Sequence, residues 1–265
     1  MREFPIYIID AFTCGPFSGN PAAVVPLERW PEDNLMQAIA RQNGLSETAF
    51  FVPRSEDFEL RWFTPDVEVQ LCGHATLATA FVIFEELESA SRVLNFATRS
   101  GTLRVERGAG QRLSMDFPRW DLLPAGDMPA RLASGLGVRT AELLTVTSGD
   151  NWFVVLDTEQ QVRDIAPAFD DLASLHPAGV VVTAPGERSD CVCRYFAPSY
   201  GVPEDPGTGS IHCGLAPYWA QRLGKTAIHS RQLSTRGAEF FCEARGERTF
   251  IAGSANRYLR GAIRV

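Results

Sequence analysis

Leu71-Cys72-Gly73-His74-Ala75-Thr76-Leu77-Ala78-Thr79-Ala80-Phe81-Val82-Ile83-Phe84 contains no Asp, Glu, Lys or Arg. Its spacing and composition predict a helix from His74 to about Leu87. A helix that is apolar on every side must be wrapped on every side. It is too short to cross a bilayer, which takes about 20 apolar residues. A second uncharged stretch, Pro206 to Gln221, predicts another such helix from Ser210 to about Leu223. Pro217 lies inside it, removes one internal hydrogen bond and should kink it.

The two helices open alike. Aligning Gly73 with Gly209 sets His74 against Ser210, a slight internal repeat. Two buried helices half a chain apart predict an α+β chain of two similar lobes. Each lobe is a mostly antiparallel sheet curled around its own central apolar helix. The boundary falls in Pro118–Pro129, where three prolines and Gly126-Asp127 interrupt the pattern. The first lobe is expected at 1–117 and the second at 118–265, with a last strand at about 256–265 belonging to either.

The rest of the chain reads mainly as short strands separated by Gly and Pro, which favours antiparallel pairing over βαβ units. A first helix is expected from Pro31 to Gln42, stopped by Asn43-Gly44, and a short one over Met128–Leu136.

Composition narrows the function. The 265 residues are 45% hydrophobic and 22% charged, an ordinary globular mixture. With 25 Lys and Arg against 32 Asp and Glu, the net charge of −7 disfavours nucleic-acid binding through bulk charge. No segment reads as a membrane span, and the start of the chain lacks a signal-peptide pattern, so a cytoplasmic setting is expected. The six cysteines show no disulfide rhythm and are expected as free thiols.

The chemistry gathers near the two helix starts. A helix N-terminus exposes unpaired N–H groups and a positive dipole end. Gly73 and Gly209 would let an anion approach the backbone closely, or would only allow tight turns. Glu47 lies in Ser46-Glu47-Thr48-Ala49-Phe50-Phe51-Val52, a strand with no face that reads as solvent. It is either an exposed strand-end residue or a sheltered carboxylate suited to taking and returning a proton. Asp205 sits in the Gly- and Pro-rich entrance to the second helix, as a cap, a catalytic group or both. His74 is raised above an ordinary core histidine by its place beside Gly73. His212 reads as structural. Trp152, Phe196 and Tyr200 are candidates for lining a substrate site. Gly224-Lys225-Thr226 is not a phosphate loop, because Trp219 stands where its first glycine belongs. A zinc site from Cys72, His74, His212 and Cys213 has no standard spacing behind it.

Several segments, in this order and spacing, resemble the phenazine-biosynthesis (PhzF-like) isomerases within the diaminopimelate-epimerase-like fold. They are Asp10-Ala11-Phe12-Thr13, Gly19-Asn20-Pro21-Ala22-Ala23-Val24-Val25, Leu45-Ser46-Glu47-Thr48-Ala49-Phe50, and Arg61-Trp62-Phe63-Thr64-Pro65 with Leu71-Cys72-Gly73-His74-Ala75-Thr76. Later come Arg194-Tyr195-Phe196-Ala197-Pro198 and Glu204-Asp205-Pro206-Gly207-Thr208-Gly209-Ser210.

The resemblance implies a homodimer, no cofactor, no metal and an active site in a cleft between the lobes. It implies an isomerase that shifts a proton and a double bond on a small carboxylate. Glu47 matches the acid/base residue, and His74, Asp205 and Ser210 match polar residues around the substrate. Gly73 matches a backbone contact, a role that the second helix start would share at Gly209. The related epimerases use two opposed thiols. Cys72 stands at the place of the first, and the second falls at Pro206, which has no proton to exchange. Two alternatives to the isomerase are a non-catalytic small-molecule-binding or interaction protein on the same fold and an amino-acid epimerase or racemase working through Cys72.

Overall fold

The computed structural model describes residues 1–55, 57–147, 150–176 and 178–265. The chain divides into two compact units, Met1–Asp116 with Ala252–Val265, and Phe117–Ile251.

The first unit opens with β1 (Glu3–Ala11), β2 (Asn20–Pro26), α1 (Asp33–Asn43), β3 (Glu47–Arg54), β4 (Asp57–Phe63) and the short β5 (Glu68–Val69). It continues with α2 (Gly73–Phe81), β6 (Val93–Thr98), β7 (Gly101–Arg107) and β8 (Leu113–Pro118). β1 and β2 are antiparallel, and α1 carries the chain across so that β2 and β3 run parallel. β3 and β4 form an antiparallel pair. α2 makes the next crossover, leaving β4 and β6 parallel, and β6, β7 and β8 follow as a meander.

The second unit repeats this order. It holds β9 (Leu122–Pro124), α3 (Ala130–Leu136), β10 (Glu142–Val146), β11 (Asn151–Val155), α4 (Glu159–Asp164), α5 (Phe169–Ala173) and β12 (Gly179–Pro185). Then come β13 (Cys191–Phe196), α6 (His212–Leu223), β14 (Ala227–Gln232), β15 (Ala238–Arg245) and β16 (Arg248–Gly253). β10 and β11 are antiparallel, and β11 and β12 are parallel across α4 and α5. β12 and β13 are antiparallel, β13 and β14 parallel across α6, and β14 and β15 antiparallel. β17 (Ala255–Arg264) returns to the first unit and pairs antiparallel along the whole of β1.

The expectation against βαβ units is therefore corrected. Among the described residues each unit has two parallel pairs joined by helical crossovers, in sheets that are otherwise antiparallel. The crossovers were hidden because two of their helices, α4 and α5, are only a turn or two long. Thr158 and Gln161 form a capping box at the start of α4, worth about 1 kcal/mol, and that pairing is the signal the periodicity reading passed over.

Each apolar helix solves its burial problem locally. α2 is buried from His74 to Ala80 and packs on β1, β2, β3 and β17. Its two threonines donate back into the helix, Thr76 Oγ1 to Cys72 O at 2.6 Å and Thr79 Oγ1 to Ala75 O at 2.8 Å. Those bonds let hydroxyls enter an apolar core without an unmet donor. The expected helix end at Leu87 is reached through a π turn, Val82–Glu86.

α6 begins two residues later than expected, because Gly209–Ile211 forms a tighter turn in which His212 N–H bonds to Gly209 O. Pro217 has no N–H to offer the carbonyl four residues back. That carbonyl, Cys213 O, instead accepts the Trp120 N–H at 2.9 Å, and α6 continues to Leu223. Among the described residues no helix is long and apolar enough to cross a membrane.

Candidate active site

Glu47 is the first residue of β3. Gly44 ends α1 in the left-handed conformation, with φ of 63°, so the chain can turn into the strand at once. Asn43 Nδ2 donates to Thr48 Oγ1 at 3.0 Å and ties that turn to the strand. Glu47 is registered beside Ala22 of β2, and the strand behind it is buried from Thr48 to Phe51. Asn20, two residues before Ala22, lies on the same strand face and is fully buried. Gly19, at φ of 81°, delivers it; a Cβ there would sit 2.5 Å from Ala11 O.

Cys72 and His74 come from the start of α2. Cys72 is extended and caps the helix, and His74 occupies its first turn. The four residues meet. His74 Nε2 lies 3.0 Å from Glu47 Oε2. Cys72 Sγ is 3.5 Å from His74 Nδ1 and 4.0 Å from Nε2, and Asn20 Nδ2 is 3.4 Å from Nδ1. Glu47 Oε2 is itself buried without a hydrogen-bond donor, so His74 Nε2 approaches it off the line of a hydrogen bond.

Charge explains the protonation. Burial opposes a charge on His74, but Cys72 and Glu47 outweigh it and hold the imidazole well above its ordinary pKa. Burial first, and then Glu47, push the Cys72 thiol up. Of the expected residues, the first unit thus brings together Glu47, His74 and Gly73, and it adds Cys72 and Asn20. Asn20 had a visible signal, a glycine-asparagine pair opening a strand, but periodicity assigns no role to such a residue.

In the second unit, Asp205, Gly209 and Ser210 lie on the loop before α6. Thr208 Oγ1 donates to Asp205 Oδ2. Gln232 staples the loop, accepting from Thr208 N–H at 2.8 Å and donating to Asp205 O at 2.6 Å. Ser234 Oγ donates to Pro206 O at 2.7 Å. His212 is structural: its nitrogens lie 3.0 Å from Thr208 O and 2.9 Å from Ser230 Oγ, and its ring stacks on Phe240. Burial lowers its pKa to about 4. Phe196 is corrected as a substrate-lining candidate, because it is fully buried in this unit's core. Tyr200 is exposed. The six cysteines are free.

Both units fix the approach to the buried helix with the same clamp. Arg61 Nε and Nη2 grip Glu68 at 2.7 and 2.8 Å while the guanidinium lies over Phe63. Arg194 Nε and Nη2 grip Glu204 at 2.7 and 3.1 Å while lying over Phe196. Glu68 precedes Gly73 by the interval that separates Glu204 from Gly209, which is the repeat expressed in contacts. The loop before α6, Pro206-Gly207-Thr208-Gly209-Ser210, supplies no second thiol to match Cys72.

The chain is similar to known proteins over nearly its whole length. The family model described as phenazine biosynthesis-like protein matches residues 9–257. An uncharacterized isomerase of Pseudomonas aeruginosa is 51% identical over 99% of this chain and 100% of its own. The crystal structure of a phenazine biosynthesis protein of the PhzF family from Enterococcus faecalis superposes with a TM-score of 0.95 at 40% identity, covering 100% of both chains. A predicted epimerase from Pseudomonas aeruginosa shares the fold, with a TM-score of 0.73 at 18% identity, covering 98% of this chain and 99% of that one.

Proposed function

This chain belongs to the phenazine biosynthesis-like protein family, and on that premise we propose a cofactor-independent isomerase in which Glu47 moves a proton on a small carboxylate. The observation that carries the proposal is the placement of Glu47 Oε2, sheltered at the start of a strand and 3.0 Å from a protonated imidazole.

In the proposed step, the Glu47 carboxylate takes a proton from a carbon made acidic by the substrate's conjugation. The C–H electron pair moves into the adjoining double bond, and the far end of that system gains electron density. Glu47 returns the proton there, so one C–H bond breaks, another forms, and the double bond changes place. The His74 imidazolium steadies the carboxylate before the transfer. The positive end of the α2 dipole favours the negative charge that develops on the substrate. Acid–base transfer of this kind is worth about 10²–10⁴-fold in rate.

Substrate contact by Asp205, Gly209 and Ser210, a homodimer and a cytoplasmic setting belong to the same proposal through the family resemblance. So does the finer architecture, a sheet curled about a central helix in each unit. The packing of α2 on four strands supports that architecture for the first unit. A two-thiol epimerase is disfavoured by the missing second cysteine.

The test is solvent exchange. The purified protein is incubated with conjugated small carboxylates in deuterated water, and mass spectrometry follows deuterium uptake. Uptake by wild type and none by Glu47→Gln supports the proposal. Binding without exchange across the set makes the chain a binder and sinks it.

A further inference from the structure

The His74 ring needs a second hold. Nε2 lies 3.0 Å from Glu47 Oε2, yet that oxygen accepts no hydrogen bond, so Glu47 alone does not align the ring. At the other edge of the ring, Nδ1 has two neighbours, Cys72 Sγ at 3.5 Å and Asn20 Nδ2 at 3.4 Å. A partner in line with Nδ1 sits out beyond the ring and is much farther from Nε2 than from Nδ1. Cys72 Sγ is 4.0 Å from Nε2, almost as near as it is to Nδ1, so the sulfur lies alongside the ring and out of that line. That leaves the Asn20 amide. We propose that Asn20 is the positioning residue for His74, its amide holding Nδ1 so that an Nε2–H is kept toward Glu47 whichever charge the ring carries. The inference deepens the reading of Glu47 as the proton carrier and rests on it for any effect on turnover.

The donors and acceptors fix the logic. A carboxylate oxygen 3.0 Å from a ring nitrogen calls for a proton on that nitrogen, because two facing lone pairs repel. Nε2 therefore carries hydrogen in both charge states. The neutral ring then has its lone pair on Nδ1, and an amide N–H must donate to it. The charged ring has an Nδ1–H, and an amide oxygen must accept from it. A half turn of one terminal amide supplies either, whereas Asp offers only acceptors when ionised and Lys only donors. Cys72 and Glu47 hold the imidazole protonated, so the resting partner of Nδ1–H is the amide oxygen.

The chain holds Asn20 firmly enough for this task. Its side chain is fully buried, which keeps water from competing for Nδ1. It opens β2, opposite Ala11 of β1. The loop before it is closed on itself: Thr13 Oγ1 and Ser18 Oγ are 2.8 Å apart, and Ser18 Oγ accepts the Cys14 N–H at 2.9 Å. The ring is thus gripped from two strands, Glu47 on β3 and Asn20 on β2, while α2 supplies only its attachment.

The experiment reads the ring directly. The full-length protein is labelled with ¹⁵N in its four histidine rings and followed by long-range proton–nitrogen NMR through the titration of His74, with His74→Asn to assign the signals. In wild type the neutral ring should be the Nε2–H form alone. Asn20→Leu, close in size and without hydrogen-bonding groups, should mix the two neutral forms and draw the two nitrogen shifts together. On a carboxylate that wild type exchanges, the same variant should lose kcat by up to about 100-fold with little change in KM, the cost of a misplaced catalytic group. A neutral wild-type ring with its proton on Nδ1 overturns the proposal, and so do unchanged ring shifts in Asn20→Leu. Should Asn20→Leu fail to fold, Asn20→Ala gives the same comparison. If no carboxylate exchanges at all, the Glu47 reading falls, and the ring shifts still decide the role of Asn20.

Discussion

His74 Nε2 and Glu47 Oε2, separated by 3.0 Å, come from the first turn of α2 and the first residue of β3, so two rigid elements fix the gap between them. Replacing Glu47 with Gln preserves shape and removes the proton carrier. Turnover on an exchanging substrate should fall about 10²–10⁴-fold. Circular dichroism checks that the variant is folded, and stopped-assay product analysis reads the rate.

His74 ties the same pair to pH. Its pKa is well above the ordinary imidazole value in the folded chain, because Cys72 and Glu47 outweigh burial. A group whose pKa rises on folding stabilises the fold fully below its unfolded pKa, about 6.5, and loses that contribution as pH climbs through the raised value. Wild type should therefore exceed His74→Asn in stability most clearly below pH 6.5, with the gap closing in alkali. Urea melts at stepped pH measure it, and a gap that widens with pH would refute the protonated assignment.

Much of this was visible before any coordinates, for a physical reason. Runs without charge, such as Leu71–Phe84, have one stable fate in water, so burial of α2 could be read directly. The sheltering of Glu47 was one of two readings open, because the residues beside it leave no solvent face although it begins the strand. Crossovers were not legible, since parallel and antiparallel strands share the same alternation. Asn20 was illegible as a site residue because its position depends on β2 pairing with β3, a long-range fact. The Arg–Glu clamps were invisible in the same way: Arg61 and Glu68 are seven apart, and Arg194 and Glu204 ten apart, so no local periodicity joins them.

Those clamps carry the next prediction. Arg61 and Glu68 are mostly buried, with side-chain exposures of 17% and 13%, and Arg194 and Glu204 are similar at 11% and 19%. Removing one partner of the Arg194–Glu204 pair strands the other, at a cost of about 3 kcal/mol, whereas Arg61 keeps Asp33 and Glu68 keeps Arg99, so the first clamp loses less. Lys cannot replace Arg, because it has neither the planar fork nor the stacking face over Phe63 or Phe196. Arg61→Lys and Arg194→Lys should each lower unfolding free energy measurably in denaturant. Arg61→Met with Glu68→Leu should recover most of the loss.

Asp205 and Ser210 give a test of the second unit. The Asp205 side chain accepts from Thr208 Oγ1, an acceptor that Asn retains. Asp205→Asn should therefore fold normally. If both residues contact the substrate, Asp205→Asn and Ser210→Ala should each cost about 10–100-fold in kcat/KM, the worth of a hydrogen bond to a charged group. Unaltered kinetics in both variants would remove the second unit from the reaction.

His212 should limit acid stability. Burial lowers its pKa to about 4, and its two nitrogens are engaged with Thr208 O and Ser230 Oγ. Between about pH 6.5 and 4 the unfolded chain binds a proton that the folded chain refuses. Stability should thus decline through that window, by ~3 kcal/mol near pH 4. This sign is opposite to the one for His74, which is protonated in both states there and adds no slope. His212→Gln should start less stable at neutral pH, having lost the stack on Phe240, yet should show a shallower decline from pH 6.5 to 4. Equal slopes in the two proteins would mean that the imidazole accepts a proton while folded, and that α6 does not hold it neutral.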